Sequence, residues 1–153
     1  MQHGLACSKD EDKLRALSEQ GQQDVKRIAD SLRAAGVRVE RAWHSGKLRA
    51  EQTADYVAKR ILTAGKAEQV SGIAPNDPVE EFCIDADVWQ EDTLVVGHLP
   101  FMSRMVSLLI SGDASHAMVE FRPGSVVCIE RVTANRWVLQ WMLRPGLVTG
   151  ESV

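Results

Sequence analysis

Residues 93–98, "TLVVGH", constrain this chain more than any other segment. A short, unbroken apolar run between the polar "QED" and "LP" is the pattern of a strand buried on both faces. Such a strand needs helices above and below it. In "LSEQGQQDVKRIADSLRAAG" (17–36), Val25, Ile28, Ala29 and Leu32 fall at helical spacing. Ser18 is placed to cap the start of that helix and Gly36 to end it.

The same alternation runs through the chain. Residues 8–16, "SKDEDKLRA", read as an exposed loop. A strand is predicted over Arg38–His44. A helix follows in 45–65, with Ser45 as a possible cap, Leu48, Thr53, Tyr56, Val57 and Ile61 on its apolar side, and Gly65 at its end. "EQVSGIAPNDP" (68–78) holds a short strand and a Pro/Asn/Asp loop, and "PVEEFCIDADVWQ" (78–90) is a helix with Pro78 in its first turn. "LPFMSRMVSLLISGD" (99–113) is a helix whose Met102, Met105, Val106, Leu109 and Ile110 suit a core rather than a cofactor. "SVVCIERV" and "RWVLQWML", separated by "TAN", form a hairpin. Strands alternating with helices predict a three-layer α/β/α fold around a mostly parallel sheet, closed by a C-terminal antiparallel hairpin. Residues 1–147 form a single domain, and 148–153 a flexible tail.

Composition narrows the function classes. The net charge of −3 argues against a non-specific nucleic-acid binder. No apolar run approaches the length of a membrane span, so no membrane partner is expected. The start lacks the basic-then-apolar order of a signal peptide. Cys7, Cys83 and Cys128 are odd in number and lack zinc-ligand spacing. They read as reduced thiols in a cytoplasmic protein.

Ligands of open parallel sheets bind beyond the carboxyl ends of the strands. Three segments stand there. In "HSGKLRAEQT" (44–53), Arg49 falls in the first turn of a helix and Thr53 four residues on, a setting that favours a phosphate-like anion. In "VVGHLP" (95–100), His98 follows the buried strand directly and could bind a phosphoryl oxygen, transfer a proton or ligate a metal. The metal reading lacks a carboxylate at ligand spacing. The third segment is "QHG" at 2–4. His44 and His116 are weaker candidates, and there is no GxGxxG, P-loop, nucleophile elbow or HExxH.

In this order, "QHG", "SGKLRAEQT" and "VVGHLP" resemble the histidine phosphatase (phosphoglycerate mutase-like) superfamily. "RALSEQG" (15–21) and "GIAPNDP" (72–78) look most like its compact SixA-type phosphohistidine phosphatases. The resemblance implies that His3 is a nucleophile that becomes phosphorylated, and that Arg49 and His98 hold the phosphoryl oxygens. Gln2, Gly4, Arg15, Ser45 and Asp77 would bind substrate, with no metal or other cofactor. The implied substrate is phosphohistidine in a protein. A small phosphorylated molecule is the alternative, and a non-catalytic phosphate- or phosphopeptide-binding module the third reading. One departure stands out. Gln2 replaces the family's arginine, which removes one charge-assisted bond. No general acid is evident, Asp77, Glu80 and Glu81 being the nearby carboxylates. In the family a few apolar residues precede the His-Gly pair. The first central strand is therefore expected to be truncated here, with Met1 inside it and the true start upstream.

Overall fold

The computed structural model describes residues 1–150. The elements run α1 (Glu19–Ala34), β1 (Arg41–His44), α2 (Leu48–Ile61), β2 (Glu68–Gln69), α3 (Glu80–Ala86), β3 (Thr93–Val96), α4 (Phe101–Ser111), β4 (Val126–Thr133), β5 (Arg136–Leu143) and α5 (Pro145–Thr149). β1 lies between β2 and β3, parallel to both, with Trp43 opposite Val95 and His44 opposite Val96. β4 and β5 form the antiparallel hairpin.

The strands sort their side chains by the two-residue period of a pleated sheet. Ala42, Leu94, Val96 and Val126 pack with α1 and α2 on one face. Trp43, Val95 and Val127 pack with α3 and α4 on the other. This is the predicted three-layer arrangement. α1 begins where the sequence indicates, with the Ser18 hydroxyl accepting the Gly21 N–H at 3.1 Å. Its buried residues include Val25, Ile28, Ala29 and Leu32.

Several boundaries differ from expectation. The first strand is shorter than 38–44, because Val39 bridges Leu62 instead of extending β1. α2 starts at Leu48 with Lys47 at the cap position, since the Ser45 hydroxyl is engaged elsewhere. It ends at Ile61, ahead of Gly65, which turns in the following loop. Residues 148–149, expected in a tail, belong to α5, and Val148 packs on the α1/α2 core. Residues 151–153 of that tail lie outside the described residues.

The hairpin and the three-stranded sheet do not pair with each other. Met1–His3 join them. The Met1 amino group donates to Val95 O at 2.8 Å, Gly97 N–H to Met1 O at 3.1 Å, and His3 N–H to Gly97 O at 3.1 Å. On the other side, Gln2 N–H donates to Ser125 O and Gly124 N–H to His3 O, each at 3.0 Å. These residues run parallel to β3, in the position expected for the first central strand. Met1 also lines a cavity of about 550 Å³ together with Leu94, Val95, Val126, Val127 and Trp141, among others. Met1 itself is buried, and burial pushes its amino group down to about 5.

One close approach sets the distance between α1 and the loop after His3. A Cβ added to Gly21 would lie 2.0 Å from the Leu5 carbonyl oxygen, which is backbone and cannot swing aside. Alanine is the better helix former by about 1 kcal/mol, but overpacking of this kind costs about 1–3 kcal/mol or more. Gly21→Ala is therefore expected to lower stability in urea melts. An unchanged or raised midpoint would show that the contact is not tight.

Candidate active site

Each principal site residue stands at the end of an element. His3 ends the short segment that joins the two sheets. Arg49 lies in the first turn of α2, just beyond β1. His98 follows Gly97 at the end of β3. Parallel pairing of β1 with β3 and of Gln2 with Gly97 brings all three ends to one edge. The His3 and His98 rings lie 5.0 Å apart, centroid to centroid. Arg49 Nε is 3.2 Å from His3 Nε2.

The hydrogen bonds define the state of His3. Its Nδ1 lies 2.7 Å from the Gly4 carbonyl oxygen, which can only accept, so Nδ1 carries the proton. Nε2 is then the lone-pair nitrogen, consistent with its accepting from Arg49. Burial chiefly, with Arg49 and Arg15 nearby, pushes His3 down to about 4 against the opposing Gly4 contact. The ring is neutral at pH 7.

His98 is buried. Its Nε2 lies 2.6 Å from the Ser45 hydroxyl, while its Nδ1 has no partner among the described residues. Burial, then His3, Arg49 and Lys47, push it down to about 3. Arg49 is itself pushed below its ordinary value by burial and by Arg15. All charged groups that shift these two histidines are cationic.

Thr53, fully buried, braces the site. Its hydroxyl donates to Arg49 O at 2.7 Å and accepts Gly4 N–H at 3.0 Å. It thereby ties the loop holding His3 to the turn holding Arg49. Gly4 is small of necessity, because an added Cβ would lie 2.6 Å from Val25 Cγ2. Its N–H is taken by Thr53, so its part here is to hold His3 rather than to offer a donor to a ligand.

The remaining candidates divide. Arg15 has φ of 53°, in the left-handed region that is unfavourable for a residue with a side chain. Its Nε donates to Cys7 O at 3.1 Å. Gln2 is buried beside Gly97, with its amide oxygen unpartnered among the described residues. Asp77 is the exception. Its carboxylate accepts Ala74 N–H at 2.8 Å and closes its own turn, with no contact to His3, Arg49 or His98 among the described residues. Glu80 and Glu81 lie in the first turn of α3. His44 is buried at the end of β1 and accepts Gly46 N–H, while His116 is exposed beside Asp113. Among the described residues, no three His, Cys, Asp or Glu side chains come together to hold a metal ion. No helix among them is long and apolar enough to cross a membrane.

The fold has close counterparts. A structure of the protein histidine phosphatase SixA complexed with tungstate superposes with a TM-score of 0.85, at 23% identity, over 97% of this chain and 96% of that one. This is the histidine phosphatase fold. A SixA protein from Agrobacterium tumefaciens matches with a TM-score of 0.76 at 22% identity, over 95% of each chain. A phosphoserine phosphatase from Entamoeba histolytica, in complex with 3-phosphoglyceric acid, matches with a TM-score of 0.68 at 11% identity, over 92% of this chain and 93% of that one. In sequence, the chain is 30% identical over 122 residues to an uncharacterized protein of Picosynechococcus sp., covering 74% of this chain and 73% of that protein. The two belong to one family. No family model matches the sequence.

Two outcomes are expected from this site. Unfolded histidines take up a proton near 6.5, whereas His3 and His98 in the fold wait until about 4 and about 3. Between those values the unfolded state binds more protons, so stability falls as pH drops from 6.5 towards 4. Urea melts at pH 7 and 4.5 check this, with a smaller drop expected in His98→Asn; an equal drop in both proteins would contradict it. Separately, Thr53→Val leaves Gly4 N–H buried and unpaired, and is expected to cost about 1–3 kcal/mol in the same assay.

Proposed function

We propose that the protein is a phosphatase acting through a phosphohistidine intermediate on His3, and that its substrate is phosphohistidine in another protein. The observation that carries this reading is a neutral His3 whose Nε2 lone pair is oriented by Gly4 and flanked by Arg49 and His98. That the matched SixA structure is complexed with tungstate, a phosphate-like oxyanion, supports an oxyanion ligand for a protein of this fold.

Two displacements at phosphorus follow from that arrangement. The Nε2 lone pair forms a bond to phosphorus while the bond to the leaving group breaks, its electron pair departing with that group. Water then attacks phosphorus, the bond to Nε2 breaks, and the proton lost by water passes to solvent as phosphate leaves. Arg49 stabilises the charge on the phosphoryl oxygens. A phosphoryl dianion also offers His98 the negative partner it lacks, and so draws a proton onto that ring.

The leaving group distinguishes the substrate classes. An alkoxide needs a proton from an acid as its bond breaks, whereas an imidazole leaves readily. Among the described residues no carboxylate is hydrogen-bonded or ion-paired to His3, Arg49 or His98, and Asp77 closes its own turn. That favours phosphohistidine over an alkyl phosphate. Gln2 brings no charge where an arginine is usual in the resembling family, which implies a rate lower by about ten- to a hundredfold, not a different reaction.

The test is phosphate release from a phosphohistidine-containing protein, with phosphoserine as the comparison substrate. His3→Ala is expected to abolish release. Arg49→Lys, which loses the planar fork, is expected to lower kcat/KM by about a hundredfold or more. Undiminished turnover by His3→Ala would overturn the reading, and turnover of phosphoserine alone would transfer it to small phosphomonoesters.

A further inference from the structure

The loop before α1 sorts its charges. Residues 9–13 read Lys-Asp-Glu-Asp-Lys, which in sequence looks like a solvated stretch of mixed sign. In the fold, two of the acids accept hydrogen bonds from backbone N–H groups of their own loop. Glu11 accepts Ser8 N–H at 2.8 Å, and Asp12 accepts Leu14 N–H at 3.0 Å and Ala16 N–H at 2.8 Å. These bonds hold Arg15 in its left-handed conformation. Lys9 and Lys13 are exposed and line one cleft with Arg15, Lys47 and Arg49.

That cleft measures about 560 Å³, ample for more than a single phosphoryl group, and Glu51 is its one acidic lining residue. Half of the chain's six lysines stand in or beside it, although the chain as a whole carries a net charge of −3. No ion pair among the described residues involves any of these five cations. Lys47 follows directly on the Ser45–Gly46 turn beside His98, and Arg49 touches His3, so the cleft is continuous with the site above. Like charges gathered on one wall without ion-pair partners attract an anion to it.

We propose that Lys9, Lys13 and Lys47 form a second anion subsite next to the phosphoryl pocket, so that the preferred substrate carries a further carboxylate or phosphate beside the group that is removed. In a protein substrate this would be an acidic stretch flanking the phosphohistidine. In a small molecule it would be a second anionic group. The inference rests on the phosphatase reading for the nature of the substrate, but the subsite can be measured by binding alone.

The first measurement is calorimetric binding of inorganic phosphate and of tripolyphosphate at low salt. The wild-type protein is expected to bind tripolyphosphate at least about tenfold more tightly. Lys9→Gln/Lys13→Gln/Lys47→Gln should reduce that ratio to about twofold. Lys26→Gln/Lys59→Gln/Lys66→Gln removes the same net charge elsewhere and should keep most of the ratio. A ratio unchanged by the first set, or lowered equally by both, would overturn the subsite. The second measurement compares kcat/KM for a phosphohistidine peptide flanked by aspartates with that for the same peptide flanked by asparagines. A preference for aspartate that the first triple variant loses assigns the second anion to a protein substrate. Equal peptides with an intact tripolyphosphate ratio assign it to a small molecule. No phosphate release from any substrate, with the binding ratio intact, would end the phosphatase reading and leave the subsite standing.

Discussion

The whole arrangement depends on the backbone pairing of the first three residues. Gln2 sits between Gly97 on one side and Ser125 on the other, so one short extended segment closes the sheet between β3 and the hairpin. The same pairing fixes the direction in which His3 leaves that segment. A parallel register carries His3 past Gly97 to the edge where His98 also emerges. The site is thus a consequence of strand register. Thr53 and Gly4 then hold the nucleophile's loop against α2.

Electrostatically the site is lopsided. Arg15, Arg49 and Lys47 act on half-buried His3 and buried His98, neither of which bonds to a carboxylate among the described residues, and desolvation keeps both rings neutral. This costs stability at low pH and leaves a lone pair available at neutral pH. An anion entering the site relieves the imbalance, which is the physical basis for both the proposed reaction and the proposed subsite. The opposite end of β1 shows how the same fold handles a cation without a ligand: Arg41 pairs with Glu91 at 3.1 Å and lies over the Trp43 and Trp89 rings.

Much of the fold was legible because it is periodic. The apolar stripe of α1, its Ser18 cap and the doubly buried β3 all follow from local spacing and chemistry. Errors gathered where a local preference met a tertiary competitor. Ser45 has the right chemistry for a helix cap, yet its hydroxyl goes to His98, 53 residues away in sequence. Asp77 has the right chemistry for a site carboxylate, yet Ala74 N–H takes it. The bracing role of Thr53 was visible only as a residue on the same helix face as Arg49. Lys9 and Lys13 carried no signal, because the acids between them cancel the charge in any sequence window.

The sequence by itself determined the alternation of strands and helices, the helix faces that would be buried, and the three segments where chemistry could sit. Those features depend on spacing between near neighbours, which a linear chain displays directly. Tertiary structure alone decided that His3, Arg49 and His98 meet, which ring nitrogen of His3 is free, and which charges face the cleft. Each of those depends on hydrogen bonds and parallel pairings between residues dozens of positions apart, and such contacts exist only once the sheet is assembled.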